Sequence, residues 1–355
     1  MQKISYEQWN EEPQRRRDVL AVIAAAITLL VAFVLIMAVL FPPIKGEKTG
    51  VPVSRKISAL NYPAAVTQTI GQPVGGRWTL PTSVATLGEA TFVLDTGNNR
   101  ILELDAENRL AATLDATIDE RLDLRQPMAI ATDGSRLFVA NSLDGEIVVL
   151  EPSGTVDRVM TIEGRLGDRT PRPIGLAIGT DGSLIVSDAD NHRVLFLDAD
   201  GHTVNAFGTG TRAGGSQGLN VPSGLALDAA GNIYVVDTLN GRIVKLSPDG
   251  EFIRDFASLA DTAGSLARPK GVAVDEKGRI FVSDGLQAAI EVFGPNGDYL
   301  GVIGRRDTSD PGAGSIFEEP FGLSLSGDTM MVVDGVLGLI VLQLSEPRSS
   351  SGAGD

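Results

Sequence analysis

Between Pro222 and Phe256 the chain alternates short apolar runs with polar, glycine-containing breaks. Leu225–Leu227 leads to a turn at Asp228–Asn232, and Ile233–Val236 ends on Asp237 before a turn at Asn240–Arg242. Ile243–Leu246 then leads through Pro248-Asp249-Gly250 to Phe252–Phe256. Runs of this length, rich in β-branched and aromatic residues and bounded by Asp, Asn and Gly, predict four strands in an antiparallel meander. A lone sheet of this size cannot bury both of its faces, so the pattern requires neighbours of the same kind.

The neighbours are present. Copies begin at Pro81, Pro127, Pro173, Pro222, Pro269 and Pro320, spaced by 46, 46, 49, 47 and 51 residues. The first strands read SVATL, AIAT, GLAI, GLAL, GVAV and GLSL. Fourteen or fifteen residues beyond each Pro a second strand closes on Asp95, Asn141, Asp188, Asp237, Asp284 or Asp334. A period of 40–50 residues with four strands per unit predicts an all-β, six-bladed propeller. Copy six lacks a fourth strand of its own. Ala64–Ile70, ahead of copy one, is expected to pair with Leu339–Leu344 and close the ring, removing its free edges.

The Pro-Gly-Leu-Ala…Asp…Asn-x-Arg pattern resembles the NHL-repeat family of propellers over about residues 64–344. The match is close in Pro173…Asp188-Ala189-Asp190-Asn191-His192-Arg193 and in Pro222…Asp237-Thr238-Leu239-Asn240-Gly241-Arg242, and good in Asp95…Arg100. Glu146, Ala289 and Leu339 stand where the pattern has Arg in copies two, five and six. The pairs Asp95/Arg100, Asp188/Arg193 and Asp237/Arg242 read as structural, a strand-end carboxylate accepting turn N–H groups and pairing with Arg.

Outside the repeats, Val19 to Phe41 contains 23 residues without a charge, enough for a hydrocarbon core of about 30 Å. It is too long for a signal-peptide core and reads as an uncleaved anchor. Arg15-Arg16-Arg17 abut it, which places the N-terminus in the cytoplasm and the propeller outside, in the cell envelope or at the cell surface. The expected organisation is a cytoplasmic N-terminus over 1–17, a transmembrane helix over 18–41 and a Pro/Gly spacer over 42–62. The propeller follows over 63–345 and a disordered tail over 346–355.

The net charge is −15; residues 1–56 hold eight basic and five acidic side chains, leaving 22 against 40 in the remainder. A domain this acidic is a poor nucleic-acid binder. There is no cysteine, and His192 and His202 are the only histidines. Some NHL-like propellers are amidating lyases with a histidine-held zinc, which two histidines in one blade cannot supply. Asp198-Ala199-Asp200-Gly201 resembles a calcium loop but lacks the downstream Glu. The innermost strands carry no acid or His, unlike those of metal-dependent lactonases on related propellers. Catalytic, metal and cofactor sites are therefore expected to be absent.

The long, varied connections (163–172, 208–220, 258–268 and 304–319) share one end of the blades, which makes that end the expected binding face. Thr82, Met128, Ile174, Ser223, Lys270 and Phe321, each following a repeat Pro, are expected at the channel mouth there. The ring they form reads as a binding funnel or as packing beneath the loops. Met128, Ile174, Lys270 and Phe321, with Trp78, Arg305 and Arg306 as a rim, are the candidate partner-binding residues. Two functions follow as expectations: non-catalytic binding of a protein or peptide partner, or a cell-envelope hydrolase or lyase using a metal at the channel mouth.

Overall fold

The computed structural model describes residues 62–71, 78–259, 262–304 and 316–345. The expected membrane span, the cytoplasmic leader, most of the spacer, the tail and Arg305-Arg306 lie outside them. Among the described residues no helix is long and apolar enough to cross a membrane.

Six four-stranded antiparallel sheets form the blades. Blade four comprises Pro222–Leu227, Ile233–Asp237, Arg242–Leu246 and Phe252–Phe256. Its first strand starts three residues earlier than the apolar run suggests. Pro222 pairs with Asp237, and the ladder then shifts register before resuming at Leu225 opposite Val235. A Pro is tolerated there because the first residue of a strand need not donate to the ladder.

The near-continuous apolar character of the second strands follows from burial on both faces. In blade one Phe92 and Leu94 pack toward blade two, while Val93 packs toward blade six. In blade two Leu137 and Val139 meet blade one, while Phe138 and Ala140 meet blade three. Side chains that alternate along a strand thus serve two different interfaces. Six apolar clusters result, one per junction. Truncating one of their leucines to alanine costs about 2–5 kcal/mol.

The repeat glycine after Pro-x has a steric cause. A Cβ on Gly224 would stand 2.6 Å from the Lys270 carbonyl oxygen, and one on Gly322 would stand 2.6 Å from that of Thr82. Innermost strands of adjacent blades approach too closely for a side chain at that position. Hydroxyls join the same strands circumferentially. Thr82 Oγ1 donates to Met128 O at 3.0 Å and Ser223 Oγ to Lys270 O at 3.0 Å, while Ser187 Oγ, on the second strand of blade three, donates to Ser223 O at 2.6 Å.

Ring closure occurs as expected, with Ala64–Ile70 as the outer strand of blade six. Ala64 is opposite Leu344 and Ile70 opposite Leu339. Two further residues secure it. Tyr62, placed by sequence at the end of the spacer, belongs to the domain instead. It is buried at the junction of blades five and six, edge-on to Phe281 at 6.0 Å, with Arg279 donating to its hydroxyl. Its backbone N–H donates to Val302 O at 2.9 Å. Trp78 is buried where blade six meets blade one, its indole N–H donating to Gly71 O.

Candidate functional site at the channel mouth

The strand-end acids are wholly buried and act as organisers of the long-loop face. Asp237 accepts the Asn220 backbone N–H at 2.7 Å, the Asn240 amide at 2.7 Å and Arg242 Nε at 2.8 Å. Asp188 and Asp95 do the same with Arg172 N and Arg193, and with Thr79 N and Arg100. Each Asp therefore ties the incoming loop, its own turn and the third strand together. Arg242 continues outward to the carbonyls of Gly215 and Gly218 and to Asp255. The blades without Arg replace it in two ways. Asp284 and Asp334 each accept four backbone N–H groups, two from the incoming loop and two from the turn. In blade two the acid itself is the neutral Asn141, whose oxygen accepts Arg125 N at 2.6 Å.

His192 is structural as well. Its Nδ1 accepts the Val221 N–H at 3.1 Å across the blade junction. Burial, with Arg212 and Arg169 nearby, lowers its pKa from the ordinary value and keeps that lone pair available. His202 lies by the hairpin at the other end of the same blade, 3.4 Å from Asp198. Among the described residues no three His, Asp or Glu side chains converge on a point.

The post-proline ring is less uniform than expected. Thr82 and Ser223 are buried and turned into the hydroxyl bonds to the next blade. Met128 and Ile174 are half-buried, while Phe321 is only 4% exposed. Trp78, expected on the rim, is 6% exposed and belongs to the closure core, so it is not available to a partner. Its flanking Gly and Arg made it resemble a loop aromatic, yet blade closure needed a large apolar plug at that place.

The ionisable groups that the mouth does gather are at the junction of blades five and six. Lys270 is half-buried, its Nζ 5.5 Å from the Phe321 ring centroid. Burial and the charge of Arg268 push its pKa down to about 8. Glu319 stands beside it; burial raises its pKa, opposed by Lys270 and Arg268. Both side chains flank Gly285, where an added Cβ would meet Glu319 Cγ at 3.5 Å and Lys270 Cγ at 4.0 Å. Phe321 and the Glu319 carboxylate flank Gly335 in the same way, at 3.0 and 3.6 Å. Two glycines thus leave room around one cation, one carboxyl and one ring. Lys270 and Phe321 were expected here from the repeat register. Arg268 and Glu319 were not, although the residue before each repeat Pro is where copies three, five and six carry charge and the other three carry Leu80, Gln126 and Val221.

Residues 170–195 and 219–246 match the NHL repeat family, covering the two best-formed copies. No curated protein matches by sequence. Solved structures share the architecture across four-fifths of the chain. Virginiamycin B lyase from Staphylococcus aureus is 15% identical with a TM-score of 0.56, covering 80% of this chain and 100% of that one. A gluconolactonase from Xanthomonas campestris is 19% identical with a TM-score of 0.58, covering 81% and 96%. A luciferin-regenerating enzyme is 13% identical with a TM-score of 0.57, covering 83% and 98%. At these identities the likeness establishes the fold: a six-bladed propeller containing NHL repeats.

Proposed function

We propose that the propeller is an acid–base enzyme of the hydrolase or lyase type, working at the channel mouth through Lys270 and Glu319. The observation that carries this reading is the pair itself. A lysine brought down to about 8 and a carboxyl raised from its ordinary value share one opening, and both have moved toward neutral pH. That is the condition under which side chains exchange protons efficiently with a substrate. Glu319 as a carboxylate takes a proton from the attacking group, and Lys270 as an ammonium gives one to the leaving oxygen. The names of the solved relatives, a lyase and a lactonase among them, support the same class of chemistry. This reading departs from the sequence-based expectation of a non-catalytic binder, because Glu319 and its effect on Lys270 were not visible from the repeat.

A metal does not enter the mechanism. The carboxylates nearest the pair, Asp284 and Asp334, accept backbone N–H groups on both oxygens, and no histidine lies at this junction. Among the described residues no three carboxylates or histidines gather here, so this donor set does not fit a divalent ion. We further read Val19–Phe41 as the anchor that holds the domain outside the cytoplasm, supported by its 23 uncharged residues and the adjoining arginines.

The test is turnover of a panel of esters and lactones by the full chain. A bell-shaped pH profile with its alkaline limb near pH 8 is expected. Lys270→Met and Glu319→Gln should each lower kcat by roughly 10²–10⁴-fold. Turnover that survives both substitutions would reject the assignment.

A further inference from the structure

The fourth residue after each strand-end Asp or Asn has a left-handed backbone in all six blades. It is Asn99, Gly145, His192, Gly241, Ala288 and Gly338 in turn, with φ between 50° and 96°. Glycine meets that requirement without strain. In blade one Asn99 also uses its side chain, Oδ1 accepting the Gln126 N–H at 2.9 Å. His192 makes the same bond to the next blade through Nδ1 and the Val221 N–H. An asparagine would thus satisfy the structure at position 192. The imidazole differs in what it has left over. With Nδ1 accepting, the neutral ring carries its proton on Nε2, farther from the backbone. No described residue accepts from that N–H.

Two guanidinium groups stand near this donor. Arg169 bridges the blade-three turn and the following long loop, its Nη1 donating to Asp190 O at 2.8 Å and its Nη2 to Gly210 O at 3.1 Å. His192 lies two residues beyond the first of these anchors and Arg212 two beyond the second. Burial, then Arg212 and Arg169, lower the His192 pKa against Asp190 and Asp188, so both cations are close to the ring. Arg212 is exposed, and among the described residues neither arginine forms an ion pair with a carboxylate. The adjacent acids are engaged elsewhere. Asp188 accepts Arg172 N, Asn191 and Arg193 on its two oxygens, and Asp190 faces Arg172 at 3.5 Å. Over 163–172, 188–193 and 208–220 five arginines stand with four acids, in a domain that carries 22 basic residues against 40 acidic ones. An anion is repelled less here than over most of the surface.

We propose that Arg169, Arg212 and the Nε2–H of His192 form a cradle for a phosphate group, free or as the monoester of a small molecule. The three donors come from three segments: the turn closed between Leu166 and Arg169, the blade-three turn and the 208–220 loop. A tetrahedral dianion offers each of them an oxygen. A carboxylate offers two oxygens in one plane, which a single arginine already fills. The cradle lies where blade three meets blade four, away from Lys270 and Glu319 at the junction of blades five and six. The inference goes beyond the acid–base reading and does not rest on it.

Isothermal titration calorimetry on the full chain in detergent micelles compares inorganic phosphate, phenyl phosphate and acetate. Saturable binding of phosphate is expected, about tenfold or more tighter than acetate, and the tighter of the two phosphates identifies the source. Arg212→Gln changes an exposed side chain and should weaken phosphate about tenfold without moving the thermal midpoint. His192→Asn keeps an acceptor for the Val221 N–H, as Asn99 does in blade one, and should weaken phosphate while the fold persists. With only two histidines, a chain labelled at histidine Cε1 gives one signal for each. Phosphate should raise the pKa of His192 and leave that of His202 in place. Lys270→Met should bind phosphate like the parent chain. Absence of saturable phosphate binding, equal affinity for acetate, unchanged affinity in Arg212→Gln, or loss of binding in Lys270→Met would each overturn the proposal.

Discussion

Lys270 occupies a place where its charge is costly. Its proton is held less tightly in the folded chain than in the unfolded one, because burial and Arg268 oppose the ammonium while Phe321 and Glu319 compensate only in part. The sign of the linkage follows. The penalty is complete below about pH 8, where both states are protonated, and it fades as pH rises from 8 toward the ordinary lysine value of 10.5. Lys270→Met is therefore expected to stabilise the domain at pH 7 by about 2 kcal/mol, at 1.36 kcal/mol per pKa unit less the lost ring contact. The gain should shrink above pH 9. Urea titrations at pH 7 and 10 check this, and an equal effect at both would mean the lysine is solvated like any other. A residue that lowers stability where it stands, beside a carboxyl perturbed in the opposite sense, fits the proposed acid–base site. The repeat register was enough to place Lys270 at the mouth. It could not reveal Arg268 or Glu319, because residues before a repeat Pro follow no pattern and their convergence depends on how two blades meet.

At the scale of the strand and its turn, the repeated Asp/Arg pair shows why a motif is kept or replaced. Asp237 is wholly buried, and burial raises its pKa even though Asn240, Asn220 and Arg242 all favour its charged form. Removing Arg242 alone leaves that buried charge without its cationic partner, at an expected cost of about 3–5 kcal/mol. Blade two indicates the remedy, since Asn141 fills the same place without charge and is paired with Glu146 rather than with a third-strand arginine. The double substitution Asp237→Asn with Arg242→Ala is therefore expected to be less damaging than Arg242→Ala alone, by more than 1 kcal/mol. Chemical denaturation of the two variants and of Asp237→Asn decides it; additive losses would show that the pair is not coupled. The strands, their number and the structural character of these pairs were legible because periodicity and turn chemistry are local. Exposed apolar residues recur at one repeat position, as Leu143, Leu239, Leu286 and Val336, and were legible in principle. They went unread because an isolated Leu in a turn carries no signal until the ring aligns it with its counterparts.

For the whole molecule the decisive feature is how the ring shuts. A propeller whose last blade takes its outer strand from the start of the chain ties the two ends together. The energy of that tie comes from seven residues of strand, the Tyr62 plug and the Trp78 plug. The strand itself, Ala64–Ile70, is largely exposed on its outer side, so its sequence gives little warning of its importance. Its backbone pairing covers Gly338–Leu344, whose residues are almost all buried and would otherwise be an apolar open edge. Two truncations separate these contributions. A chain starting at residue 57 keeps the compact unit whole and is expected to stay monodisperse with a sharp thermal transition. A chain starting at residue 72 loses Tyr62 and the closing strand. It should unfold at a midpoint lower by 10 °C or more, on the order of several kcal/mol for a domain of this size, and should associate through the exposed edge of blade six. Trp78→Ala in the longer chain should fall between the two, losing about 3–5 kcal/mol of packing while retaining the strand. Light scattering during thermal melts reads both properties at once. If the shorter chain melts like the longer one without associating, closure is not what holds the ring, and the six junction cores suffice. If association appears without a lowered midpoint, the strand protects an edge more than it adds stability.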